Sequence, residues 1–122
     1  MNLNPQGLET LKSFSNDEPV FMLNYLNYKD VVSATGKSGE ETYKDYMVAA
    51  MPFFQHIDAE IIFKGKPQAM ILGPSDEEMW DEVLIVKYAN KNEFFKLTQM
   101  KEYPFHIRAA ALSDSRLIFC KS

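Results

Sequence analysis

Asn24, Tyr43, Tyr46, Trp80, Asp81, His106 and Arg108 are the residues of this 122-residue chain whose types and settings suit chemistry on a small organic molecule. Asn24 is a lone amide in the otherwise apolar run Val20–Leu26, fit either to orient a ligand carbonyl or to satisfy buried backbone groups. Tyr43 and Tyr46 stand three apart on an apolar helical stripe, so Tyr46 could donate its hydroxyl to a developing oxyanion or simply line the edge of a core. Trp80-Asp81 marks the entry of a loop into a strand. A carboxyl desolvated beside an indole is pushed toward working pH and becomes a general base; the bland alternative is a turn cap with the indole packed as a lid. Arg108 can grip a carboxylate with two parallel hydrogen bonds, or pair with Asp81, Glu82 or Glu102. His106, two residues earlier, is an acid/base candidate. We therefore expect His106 and Asp81 as catalytic groups and Asn24, Tyr46, Trp80 and Arg108 as ligand-binding groups.

Other chemistries lack their residues. His56 and His106 show no metal-ligand spacing and have no cysteine partner, so no metal site and no cofactor is expected. His56 falls at a helix C-terminus, where a cation suits the free carbonyls. Gly36-Lys37-Ser38 lacks the upstream glycine of a phosphate loop, and no Ser-His-Asp pattern is readable. Cys120 is the single cysteine, which rules out an intrachain disulfide and reads as a small buried thiol. With 13 basic and 17 acidic residues the net charge is −4, and no basic cluster stands out, so nucleic acid and anionic membranes are not expected partners. No apolar run approaches the ~20 residues of a membrane span, and Met1-Asn2-Leu3-Asn4-Pro5 lacks the basic start and apolar run of a signal peptide. A cytoplasmic location is the expectation.

The elements that must position these residues follow from local signals. Asn4-Pro5 starts a short helix over 5–14, an accessory extension spanning 1–18; residues 19–122 form one domain. A strand follows at 19–28. Ser38-Gly39-Glu40-Glu41 is a capping box opening an amphipathic helix over 39–56, with Pro52 set to kink it or restart its last turn. Glu60–Lys64 and Gln68–Leu72 read as two strands about Gly65-Lys66-Pro67, and Ser75–Glu78 as a second capping box. Glu82–Tyr88 is a strand, Asn90 caps a further helix, another helix covers about 103–112, and Arg116–Cys120 closes the chain as a strand. The order β-α-β-β-α(α)-β is a split βαβ plan: α+β, ferredoxin-like, a four-stranded antiparallel sheet with a hairpin extension and helices on one face.

That plan leaves one sheet face uncovered. Val20, Met22, Leu26 and Tyr28 alternate with Phe21, Leu23 and Tyr25, so the first strand is apolar on both sides. Helices can cover one side only. Leaving an apolar face on the order of several hundred Å² in water is unusual for a monomer. At ~25 cal/mol per Å², covering it would stabilise a dimer by many kcal/mol before association costs. Pairing of two such sheets about a two-fold axis is the expected solution, making the chain a homodimer.

The run Pro19–Asn24, the helix with Tyr43 and Tyr46, Trp80-Asp81 leading into Val83–Tyr88, and Glu102-Tyr103 followed by Arg108–Leu112 resemble the "domain of unknown function 1330" family, across about residues 19–120. The chain departs from that pattern at Asp58-Ala59, where members usually show a Gly-Gly pair. The resemblance implies the dimeric α+β barrel superfamily. That superfamily holds small cofactor-independent monooxygenases, muconolactone isomerase, chlorite dismutase-like haem proteins and transcriptional ligand-sensing domains. It thus implies a dimer but no particular reaction. Two functional readings stand side by side. One is a small-molecule-binding homodimer that carries out acid/base or cofactor-free oxidative chemistry; the other is a non-catalytic ligand-binding or assembly module. Convergence of the named side chains on one cavity separates them.

Overall fold

Side-chain parity in the first strand decides the layering. The computed structural model describes residues 3–75 and 78–122. In chain order it contains α1 (Pro5–Ser13), β1 (Val20–Tyr28), α2 (Gly39–Phe54), β2 (Ala59–Gly65), β3 (Glu82–Tyr88), α3 (Lys91–Thr98), α4 (Phe105–Ala111) and β4 (Leu112–Cys120). The four strands form one antiparallel sheet in the order β2-β3-β1-β4, the ferredoxin-like α+β arrangement. Val20, Met22, Leu26, Leu84, Val86 and Tyr88 bury their side chains under the helices, against Leu11, Tyr43, Tyr46, Ala50, Leu97 and Ala111.

The opposite face carries an apolar row across all four strands. Phe63 pairs with Ile85, Ile85 with Leu23, and Leu23 with Ile118. Phe63 and Ile118 are exposed. The flanking rows are more polar, with Lys87 beside Phe21 on one side and Arg116 beside Tyr25 on the other.

Local capping accounts for most helix starts. The Asn4 carboxamide accepts the Gly7 amide, the Ser38 hydroxyl accepts the Glu41 amide at 3.1 Å, and the Asn90 side chain accepts the amides of Asn92 and Glu93. Helix α2 continues through Pro52, which lies in its last turn, and ends at Phe54 rather than 56. Helix α4 is shorter than the expected 103–112, and β4 starts at Leu112, four residues before the expected Arg116.

One expected element is absent. Gln68–Leu72 forms no strand, so β2 stands alone at the sheet edge and the hairpin extension is not built. Pro67 removes a backbone donor at the start of the segment, and Gly73 bends it with φ +126°. Ile71 and Leu72 are 86% and 90% exposed, so their apolarity finds no core to join. The second capping box, at Ser75–Glu78, includes Asp76 and Glu77, which lie outside the described residues.

Gly39 joins three elements at one point. Its amide donates to the Lys29 carbonyl at 2.7 Å, just past the end of β1, while the Lys29 amide donates to the Ala111 carbonyl at 3.0 Å, where α4 becomes β4. The start of α2 is thereby fixed against both the central strand and the last helix.

Candidate ligand site

The helix-side layer of the sheet collects most of the polar aromatic groups. Five of the six tyrosines, Tyr28, Tyr43, Tyr46, Tyr88 and Tyr103, lie on this side; Tyr25 points to the other face. Tyr28, Tyr43, Tyr46 and Tyr103 form a row with ring centroids 5.7, 5.2 and 6.0 Å apart. The hydroxyls of Tyr46 and Tyr103 share a hydrogen bond, and Tyr28 donates to the carboxylate of buried Glu82.

Arg108 is the cation of this layer. Its Nη2 donates to Asn24 Oδ1 at 3.3 Å, and its charge acts on the nearby Tyr43 hydroxyl. Asn24, 7% exposed, directs its own Nδ2 to the carbonyls of Met22 and Leu84 at 3.3 and 3.4 Å. The amide is fully engaged, and its oxygen is what places the guanidinium. Among the described residues no ion pair involves Arg108, so the expected carboxylate partners Asp81, Glu82 and Glu102 do not hold it. The guanidinium is half-buried and pairs with no carboxylate among the described residues.

The phenols are donors here, not bases. Burial pushes Tyr43 up to about 12, with Arg108 offsetting part of the shift, and burial pushes Tyr103 up to about 12 as well. Burial also raises Tyr46 and Tyr88 far above the ordinary phenol value, and the Tyr103 hydroxyl adds to the effect on Tyr46. The folded state therefore holds these protons at a pH where the unfolded chain has lost them. Their stabilising contribution is complete below the unfolded value near 10 and is lost as pH rises through the folded values. Absorbance titration at 295 nm should show most of the tyrosines resisting ionisation at pH 10.5 and titrating together with loss of the near-UV circular dichroism signal. Ionisation of all six near pH 10 with the fold intact would contradict this.

The remaining candidates lie elsewhere. The Trp80 ring packs on Tyr25 at 5.8 Å and under the Arg116 guanidinium at 5.4 Å, on the opposite face of the sheet. Asp81 is committed to the backbone: its Oδ2 accepts the Tyr28 amide at 2.7 Å, and its own amide donates to Leu26 O and Asn27 Oδ1. His106 is exposed on α4. Asn24, Tyr46 and Arg108 thus share one layer, whereas Trp80, Asp81 and His106 do not converge on it. Tyr103 and Glu82 belong to the layer but were not among the expected site residues. The signal for Glu82 was its parity: it is in phase with Leu84, Val86 and Tyr88 on the buried face of β3.

No family model and no curated protein matches the chain. Among solved structures, a protein of unknown function from Rhodopseudomonas palustris superposes with TM-score 0.86 at 26% identity, covering 99% of this chain and 95% of that one. A dimeric ferredoxin-like protein of unknown function from Thermobifida fusca superposes with TM-score 0.56 at 11% identity, over 90% and 96% of the two chains. SnoaB, a cofactor-independent oxygenase from Streptomyces nogalater, superposes with TM-score 0.53 at 7% identity, over 86% and 93%. The fold is therefore that of ferredoxin-like proteins described as dimeric. Among the described residues, no helix is long and apolar enough to cross a membrane.

Proposed function

We propose that this chain is a homodimeric α+β barrel protein that binds a small, partly apolar anion against Arg108, between the sheet and helices α2 and α4. The observation that carries the reading is the guanidinium itself, oriented by Asn24 and paired with no carboxylate among the described residues. A ligand carboxylate or enolate supplies a counter-charge, and the tyrosine rings supply apolar surface. The raised phenol values mean that Tyr43 and Tyr46 stay protonated beside such an anion. The dispersal of Trp80, Asp81 and His106 favours binding without catalysis at this position.

A thermal-shift series with benzoate, salicylate and phenylpyruvate tests the reading. At least one should raise the melting temperature of the wild type, and Arg108→Ala should abolish the rise. A charge-assisted hydrogen bond contributes about 1.5–3 kcal/mol, which corresponds to roughly a 10- to 150-fold loss of affinity. An Arg108→Ala protein that melts far below wild type without ligand, or responds to the anions as wild type does, would mark Arg108 as structural.

A further inference from the structure

Within the same helix-side layer as Arg108, Glu82 is a buried carboxylate that the binding reading does not use. We infer that Tyr28 and Glu82 form a proton-transfer pair serving a second site, at the Tyr28 end of the layer, whose substrate is a small enolisable carbonyl compound. Glu82 is 5% exposed, and its Oε1 accepts the Tyr28 hydroxyl. Burying a carboxylate under an aromatic layer costs stability that a leucine in phase with Leu84 and Val86 would not, which marks Glu82 as a candidate for a role. Tyr28 in turn forms part of the wall of a cavity of about 320 Å³, between the end of β1, the start of α2 and Lys66 beyond β2. That volume accommodates a molecule of metabolite size.

The surroundings hold the pair in place and are of mixed charge, with Lys29 and Lys66 beside Asp30, Glu40 and Asp81 in the wall. Asp81, also in the cavity wall, fixes Tyr28 through its amide. Lys66, ion-paired with Glu40, lies within electrostatic reach of Glu82 and Asp81. Lys29 lines the same cavity, and its ammonium enters no ion pair among the described residues.

The step is a two-proton relay. The C–H bond α to the substrate carbonyl breaks and its proton passes to the Tyr28 oxygen as the Tyr28 proton passes to Glu82 Oε1. The electron pair moves onto the carbonyl oxygen, leaving an enolate beside the Lys29 ammonium. Reversal of the relay returns a proton to carbon, and in D2O, once the relay has exchanged with solvent, returns a deuteron. Burial and the Glu82 carboxylate hold Tyr28 far above the ordinary phenol range, so a free phenolate is not an intermediate. The concerted relay avoids it.

Deuterium exchange tests the pair. Wild type, Glu82→Gln and Tyr28→Phe are incubated in D2O with pyruvate, 2-oxobutyrate and acetone, and loss of the α C–H signal is followed by proton NMR against buffer. The wild type should exchange at least one probe faster than buffer. Both variants should lower kcat for that probe by about 100-fold or more, with KM within about twofold. Glu82→Gln keeps the size of the side chain and a hydrogen-bonding oxygen for Tyr28, and Tyr28→Phe keeps the ring; circular dichroism confirms folding of each. Exchange at the buffer rate for all three probes overturns the proposal. So does wild-type exchange in either folded variant, or a loss confined to KM. Anion binding at Arg108 is scored separately, by the thermal-shift response that Arg108→Ala abolishes.

Discussion

Replacing Gly39 with alanine should destabilise the protein by about 3 kcal/mol or more, at the upper end of single-residue effects. A methyl group there would lie 2.4 Å from both the Ala111 and the Lys29 carbonyl oxygens and 2.5 Å from the Lys29 nitrogen. Contacts that close cannot be relieved by rotating a side chain, because every atom met is backbone. Relief requires the start of α2 to move away from the end of β1, which breaks the Gly39-to-Lys29 hydrogen bond and loosens the α4–β4 joint. Helix propensity argues the other way, since alanine is favoured over glycine by about 1 kcal/mol inside a helix. The steric term wins because it acts on two backbones at once. Urea denaturation measures the difference, and a Gly39→Ala protein as stable as wild type would show that the joint yields without cost. The same displacement carries Tyr43 and Tyr46 away from Arg108, so ligand response should weaken together with stability.

What was readable in the sequence was what short-range rules govern. The parity of Val20–Tyr28 is a property of nine consecutive residues, and the alternation of buried and half-buried side chains along β1 follows it. The Ser38–Glu41 cap is likewise local. The strand expected at Gln68–Leu72 would have extended the free edge of β2, but the segment follows Pro67, which has no backbone donor, and bends at Gly73, and its apolar composition does not outweigh these. The candidate site was harder still. Asn24 and Arg108 meet across 84 residues of chain, and nothing in their spacing announces it. Trp80 and Asp81 were grouped because they are adjacent, yet adjacency at a strand entry separates side chains. Trp80 joins Tyr25 on the open face, while Asp81 turns to the Tyr28 amide. Glu82 was legible by the same parity rule that placed Leu84, but a charged residue in an apolar strand is easily assigned to its solvent side.

The second large effect concerns the open face. Ile85→Asp should convert the proposed dimer into a folded monomer. Ile85 sits in the middle of the row Phe63–Ile85–Leu23–Ile118, which crosses all four strands, with Lys87 and Arg116 in the rows to either side. An apolar centre bordered by charge is the composition of an interface core with its rim. In a single chain Ile85 is half-buried and belongs to the face away from the helices, so an aspartate there keeps access to water and the core beneath α2 and α4 stays intact. In a sheet-to-sheet dimer the same carboxylate is buried without a partner, at a cost of about 3–5 kcal/mol. Two-fold symmetry places one such charge in each copy, so the interface carries the penalty twice. Sedimentation equilibrium should give twice 14.1 kDa for the wild type and 14.1 kDa for Ile85→Asp, with unchanged far-UV circular dichroism. A wild-type monomer at micromolar concentration would remove the dimer altogether. A dimeric Ile85→Asp protein would instead move the interface off this face, and with it the explanation for why β1 is apolar on both sides.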